Sequence, residues 1–338
     1  MISRIIFGCG RLTGGASERE AVSIVQTCVD YGIRHFDTAP SYGLGTAEAV
    51  IGKTVADRSD IFIIAKVGSA RDPVGYLKSY LRRLKRSFGP QEPKSLEGWT
   101  PATIEDISLT SVFSQKRMAN SVTLSQQALR RDSFDFLLLH EAYTENMTPS
   151  VNNLLRRFQD VGIAKNIGYS NGAVFDVATD SGFDTDYVAQ VAIMPEHLLG
   201  TRAEPSRKHF FVHSLVKIAT YLRRINVEFS RSIEDAARII PANIAPKDSA
   251  EIATIYALAA YRLGRAKLLY SSANQARLEA VLKAIRFIDD NALIPQMAAA
   301  FVSEGSRVEP VVPDGNSDSF GPRSRWQARE GGPREPLK

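Results

Sequence analysis

Eight short runs of β-branched and large apolar residues recur along this chain, separated for the most part by stretches with helical periodicity: "RIIFGCG", "IRHFDTA", "IFIIAKVG", "FDFLLLHEA", "NIGYSN", "YVAQVAIM", "HFFVHSLV" and "AKLLYSS". Strand and helix in alternation favour a parallel sheet, whose crossovers are usually helices. The near-unbroken apolar run of "IFIIAKVG" implies a sheet covered on both faces. Eight such units predict an α/β fold, a (β/α)8 TIM barrel of about 250 residues with insertions.

Between the strands, "SEREAVSIVQTCVDYGI" predicts an amphipathic helix with Ser17 as its N-cap and Glu20 completing a capping box. Helices are likewise predicted at "TAEAVIGKTV", "RMANSVTLSQQALRR", "SVNNLLRRFQDVGIAK", the short "VFDVATDSG", "SAEIATIYALAAYRLG" and the closing "QARLEAVLKAIRFI". The rhythm breaks at 71–117, a long insertion after the third strand. It carries a basic helical patch, "YLKSYLRRLKRSFG", followed by a stretch containing Pro, Gly and Ser. Residues 305–338 are rich in Gly, Pro, Ser and Arg and have no periodicity, which predicts a disordered C-terminal tail and leaves 1–304 as the barrel.

The net charge of +5, from 42 basic and 37 acidic residues, is too mild to argue for a nucleic-acid partner but suits an anionic cofactor. Two cysteines, Cys9 and Cys28, supply neither a disulfide framework nor a metal-ligand cluster, so no metal is expected. The first apolar run is too short for a signal peptide, and no segment approaches about 18 continuous apolar residues. The expected setting is a reduced cytoplasm, with no membrane association.

A barrel of this kind carries its active site at the C-terminal ends of its strands. Taken strand by strand, those ends hold Asp37 with the following Tyr42, then Lys66, then His140. Singly, an Asp there can cap a loop, a Lys can be a solvated charge and a His can be a bonded core residue. Four ionisable groups converging on one rim point to chemistry instead.

These residues also carry a family likeness. "GIRHFDTAPSYGLGTAE", "IFIIAKVG", "DFLLLHEA" and "GIAKNIGYSN", in this order and strand phase, resemble the successive signatures of the aldo-keto reductase superfamily over roughly residues 4–290. The segment 71–117 resembles, loosely, the sugar and aldose dehydrogenase branch. The resemblance implies a tetrad of Tyr42, Lys66, Asp37 and His140. The phenol of Tyr42 would exchange a proton with a substrate oxygen, Lys66 would lower its pKa, Asp37 would orient Lys66, and His140 would donate a hydrogen bond to the carbonyl.

No G-x-G-x-x-G fingerprint occurs, yet barrels of this family bind NADPH without one. By resemblance, Ser170, Asn171 and Gln190 would hold the nicotinamide carboxamide, while Ser272 and Arg277 match positions facing the adenosine 2′-phosphate; NAD is the other cofactor to consider. Three positions depart from the family pattern: Ile193 stands where an aromatic ring stacks on the nicotinamide, Ser271 replaces a glycine and Val281 an asparagine. The implied function is an NAD(P)H-dependent oxidoreductase interconverting a small aldehyde, ketone or sugar carbonyl with its alcohol. The alternative is a weakly active or non-catalytic NADPH-binding regulatory protein on the same barrel.

The tail generates a first test. Gly305–Lys338 has too little large apolar surface to offset its ordering entropy. Deleting it is expected to leave the melting temperature nearly unchanged; a drop of many degrees would show that Phe320 or Trp326 docks on the core.

Overall fold

The computed structural model describes residues 1–12, 17–68, 113–142, 146–174, 186–201 and 208–301. Within them eight parallel strands close into a barrel in chain order. These are β1 (Ile5–Gly8), β2 (His35–Asp37), β3 (Phe62–Val67), β4 (Phe134–His140), β5 (Ala164–Val174), β6 (Val188–Ala192), β7 (Phe210–His213) and β8 (Lys267–Tyr270), and β8 pairs back onto β1. All eight predicted strands are present. Most of the insertion with its basic patch, the tail and the stretch "VFDVATDSG" lie outside the described residues, except that Val174, predicted to open a short helix, is the last residue of β5.

The helices pack around the barrel: α1 (Glu18–Asp30), α2 (Thr46–Val55), α3 (Gln115–Leu129), α4 (Pro149–Asp160), α5 (Pro195–Leu199), α6 (Leu215–Ile225), α7 (Val227–Ala237), α8 (Lys247–Arg262), α9 (Gln275–Asp290) and α10 (Ile294–Ala299). The predicted capping box opens α1: Ser17 N donates to Glu20 Oε2 at 2.6 Å and Glu20 N donates to Ser17 Oγ at 3.3 Å. The structure corrects three boundaries. The seventh strand ends at His213 rather than Val216, because Ser214 adopts a left-handed φ of 64° and turns the chain into α6. Gln115–Arg117, the end of the supposed insertion, form the first turn of α3. The chain also continues past α9 into α10, after a second left-handed residue, Ala292.

Strand side chains alternate between two faces, and here the two faces make two cores. Outward residues such as Phe7, Phe36, Ala65, Leu137, Leu139, Val191 and Val212 join the helices in the main core. Inward residues Ile6, Ile64, Phe136, Leu138, Val188 and Phe211, with Leu269 against them, form a small apolar plug inside the barrel. Because the period is two, the next inward positions toward the C-terminal ends are Gly8, Lys66, His140, Gln190, His213 and Ser271. The plug is the floor on which these residues stand.

Close helix packing around the barrel yields a stability test. A Cβ at Gly52 on α2 would press into the backbone at the end of α3, at Ala128 O and at 2.8 Å from Leu129 C. Backbone cannot rotate away as a side-chain tip can, so Gly52→Ala is expected to cost about 2 kcal/mol or more through overpacking. Urea unfolding would read this as a lowered midpoint with an unchanged slope; an unchanged midpoint would mean that the helix pair has slack.

Candidate active site

The register of the sheet sets the polar residues side by side. His140 on β4 is paired with Ser170 on β5, which is paired in turn with Gln190 on β6. Across the barrel, Gly8 is paired with Asp37 on β2. Tyr42 arrives from outside this frame, on a 3₁₀ turn (Tyr42–Gly45) just after β2. Gly10 packs beside its ring: a Cβ there would be in ordinary van der Waals contact, 3.6 Å from Tyr42 Cζ.

The four tetrad residues predicted from sequence do meet. Lys66 Nζ donates a short hydrogen bond to Asp37 Oδ1, and both groups are almost fully buried. The same ammonium lies 3.4 Å from Tyr42 Oη and 5.1 Å from the centre of the Tyr42 ring. The His140 ring stands edge-on to Tyr42, with centroids 5.6 Å apart at 86°. His140 Nδ1 is buried and has no hydrogen-bond partner among the described residues.

Burial sets the protonation states. It would by itself lower the Lys66 pKa, but Asp37 and Tyr42 outweigh it and hold the ammonium above its ordinary value. The Tyr42 phenol is pushed up to about 12, chiefly by burial, against the downward pull of Lys66. This corrects the sign expected from sequence, where Lys66 alone was to depress Tyr42. The ammonium does pull in that direction, but Asp37 in contact with it cancels much of its charge, and desolvation of the phenolate prevails. His140 is lowered to about 3 by burial, then by Lys66 and His213, so its imidazole is neutral. The site therefore holds a protonated phenol and a neutral imidazole beside a balanced ion pair.

The expected cofactor residues fall into two groups. Ser170 and Gln190 are buried in the same row as His140, and Gln190 Oε1 has no partner among the described residues. Asn171 Nδ2 donates to Ala142 O at 3.2 Å, tying the ends of β5 and β4 together. Ser272 follows β8 and Arg277 lies in the first turn of α9. The Ser272 hydroxyl is engaged in the turn, accepting from Asn274 N at 3.1 Å and donating to Asn274 O at 3.0 Å. Arg277 is half-exposed, with its Nε 3.5 Å from Asp248 Oδ2 on α8.

Two of the three departures look different in the structure. Ile193 lies just beyond β6 at an outward position, fully buried in the main core, and does not face the mouth. The ring that does belong to the inward set is His213, which sequence reasoning missed. His213 Nε2 is 3.1 Å from Asn171 O and Nδ1 is 2.9 Å from Ser214 Oγ. Its signal was available in the sequence, two residues beyond the inward Phe211. Ser271 is the corresponding residue after Leu269, and a Cβ on Gly8 would sit 2.5 Å from its Oγ. Val281 is a core residue of α9.

With this geometry in place, the likeness to known proteins is informative. The model of the Aldo/keto reductase family matches residues 4–179, just over half of the chain. D-threo-aldose 1-dehydrogenase of a Pseudomonas species is 26% identical over 165 residues, 47% of this chain and 46% of that protein. The chain thus spans about half the length of the curated relatives it matches. Among solved structures, a glycerol dehydrogenase from Gluconobacter oxydans superposes with a TM-score of 0.56 at 16% identity, covering 92% of this chain and 94% of the other. An aldo-keto reductase from Klebsiella pneumoniae, solved in complex with NADPH, gives 0.54 at 14% identity, with 87% and 90% covered. The structural matches establish the barrel, and the family model together with the order of the motifs establishes descent: the chain belongs to the aldo/keto reductase family.

Proposed function

We propose that this protein is an oxidoreductase that interconverts a small aldehyde, ketone or sugar carbonyl with its alcohol, using NADPH and, less favourably, NADH. The observation that carries this reading is the buried Lys66–Asp37 pair in contact with a protonated Tyr42 phenol opposite a neutral His140. A nicotinamide, when bound, supplies the hydride that no side chain can supply. The row of residues at the mouth fits such a group: Gln190 Oε1 is a buried acceptor with no partner among the described residues, suited to a carboxamide N–H, with Ser170 and Asn171 beside it. Ser272 and Arg277 would hold the adenosine end.

The remaining chemistry belongs to the chain. As the carbonyl carbon is reduced, its oxygen gains charge and takes the proton of Tyr42 Oη. Lys66 then stabilises the phenolate left behind, while Asp37 keeps the ammonium charged and in place. His140 donates a hydrogen bond to the same oxygen, orienting the substrate and stabilising the developing charge. In the oxidative direction the phenolate is the base.

The test is nicotinamide oxidation by the wild type with a panel of small aldehydes and sugars, using both cofactors. Tyr42→Phe keeps the ring and loses the proton, so turnover is expected to fall by about 10²-fold or more. Quenching of protein fluorescence by NADPH should persist in this variant. Near-normal turnover without the hydroxyl, or a wild type that binds NADPH and reduces nothing on the panel, would overturn the reading.

A neutral His140 has a measurable consequence for stability. The unfolded chain binds a proton at this residue near pH 6.5, whereas the folded protein holds its pKa at about 3. Between those values the unfolded state binds more protons, so stability is present above about 6.5 and declines as the pH falls toward 3. From pH 7 to 4.5 this one group is expected to remove about 2–3 kcal/mol. Urea unfolding at several pH values should show a shallower decline for His140→Gln than for the wild type. His35, also lowered to about 4 mainly by burial, contributes to both proteins alike; parallel declines would show that His140 is charged in the folded state.

A further inference from the structure

One residue at the mouth has an unusual backbone. Glu141 follows His140 directly and adopts a left-handed φ of 53°. A left-handed conformation carries a cost for any residue with a Cβ, and glycine or asparagine adopts it more readily. The chain nevertheless places a long, charged, half-exposed side chain there. Its carboxylate is then fixed in position, because Oε2 accepts a hydrogen bond from Gly172 N at 3.1 Å. A Cβ at Gly172 would lie 2.9 Å from Oε2, so a larger residue there would displace the carboxylate from this position. Oε1 stands 4.0 Å from His140 Nε2.

We propose that Glu141 is a specificity-determining residue whose carboxylate, fixed at the barrel mouth beside His140, selects neutral and cationic carbonyl substrates against anionic ones. This rests on the carbonyl reduction proposed above. The buried floor of the site is electrically balanced, with Lys66 against Asp37, and the phenol and imidazole above it are neutral. A charge on the rim therefore sets the sign of the field that a substrate tail meets. Among the described residues, Glu141 is the charged group outside the buried pair that acts on the Tyr42 phenol, and it acts to raise it. Lys217, at the start of α6, acts on His213 three strands away around the barrel. The wall next to His140 is thus the negative one, and an anionic tail leaving along that wall is opposed.

The experiment compares two aldehydes of nearly the same shape, neutral 4-nitrobenzaldehyde and anionic 4-carboxybenzaldehyde, at low ionic strength. Their intrinsic reactivities differ, so the quantity read is the change in the ratio of their kcat/KM values between proteins. Glu141→Gln keeps an acceptor for Gly172 N and removes the charge. It is expected to shift the ratio toward the anionic aldehyde by about five- to tenfold, mostly through KM, the scale of one charge acting across several ångströms of partly solvated site. Glu141→Lys should shift the ratio further in the same direction. In the wild type alone, added salt should also narrow the preference, a readout that needs no variant to fold. A purely structural Glu141 would change the melting temperature and leave the ratio alone. An unchanged ratio in Glu141→Gln, or no effect of salt in the wild type, would overturn the inference while leaving the reaction intact. If the wild type reduces neither aldehyde and nothing on the wider panel, the proposed reaction falls first, and the inference with it.

Discussion

The site depends on the two-residue period of the strands inside a closed barrel. Once Ile6, Ile64, Leu138, Val188, Phe211 and Leu269 face inward as the plug, the residues two positions on must also face inward. Those positions hold Gly8, Lys66, His140, Gln190, His213 and Ser271, of which every side chain is polar and one is absent. A shift of one residue in any strand would exchange its plug residue for an outer one and send its polar residue into the helical shell. Fold and site are consequently one commitment: the apolar packing that closes the barrel also aims the polar groups.

The second constraint is the energetics of a buried ammonium. Removing Lys66 from water carries a penalty of several kcal/mol, recovered only through close contact with an opposite charge and further hydrogen bonds. Asp37 provides the first and Tyr42 Oη the second. This arrangement limits what Lys66 does to Tyr42. A lysine matched by its aspartate exerts a reduced field, which is why burial prevails and the phenol rests near 12. The phenol therefore rests protonated. In the proposed reaction, phenolate becomes accessible when a substrate oxygen takes the proton and Lys66 is there to receive the charge, so the pair would serve the moment of transfer more than the resting state.

Much of this was legible in the sequence, for physical reasons that also explain the misses. Eight strands could be read because buried parallel strands are short, apolar and separated by helical periodicity. Asp37, Lys66 and His140 stood out because each ends such a run, where an ionisable group has no structural need to be. His213 was lost because "HFFVHSLV" reads as one unbroken strand; the left-handed Ser214 that ends it after His213 has no sequence signal. Ile193 matches a mouth position by resemblance alone, whereas three residues on from the inward Gln190 is an outward position. The sign of the Tyr42 shift depends on depth of burial, and the spacing of residues along a chain does not contain depth.

Four non-glycine residues among those described have positive φ, and they divide by place. Arg130 and Ala292 close helices, where a left-handed residue is an ordinary way to end a turn. Glu141 and Ser214 each come directly after a histidine that ends a strand at the mouth. In both cases the turn brings the next side chain back toward that histidine: Ser214 Oγ lies 2.9 Å from His213 Nδ1, and Glu141 Oε1 lies 4.0 Å from His140 Nε2. A left-handed residue costs about 1–2 kcal/mol, and the pairing that precedes Glu141 can bear it, because β4 and β5 stay in register from Phe134 to His140. The barrel ends its strands sharply so that the residue after each histidine faces the mouth instead of continuing into the shell. The long pairing below fixes the imidazole, and the left-handed residue above gives the rim its polarity. Strand register thereby aims the groups of the proposed reaction, and the turn that follows aims the carboxylate proposed to set substrate preference, two levels that can change independently.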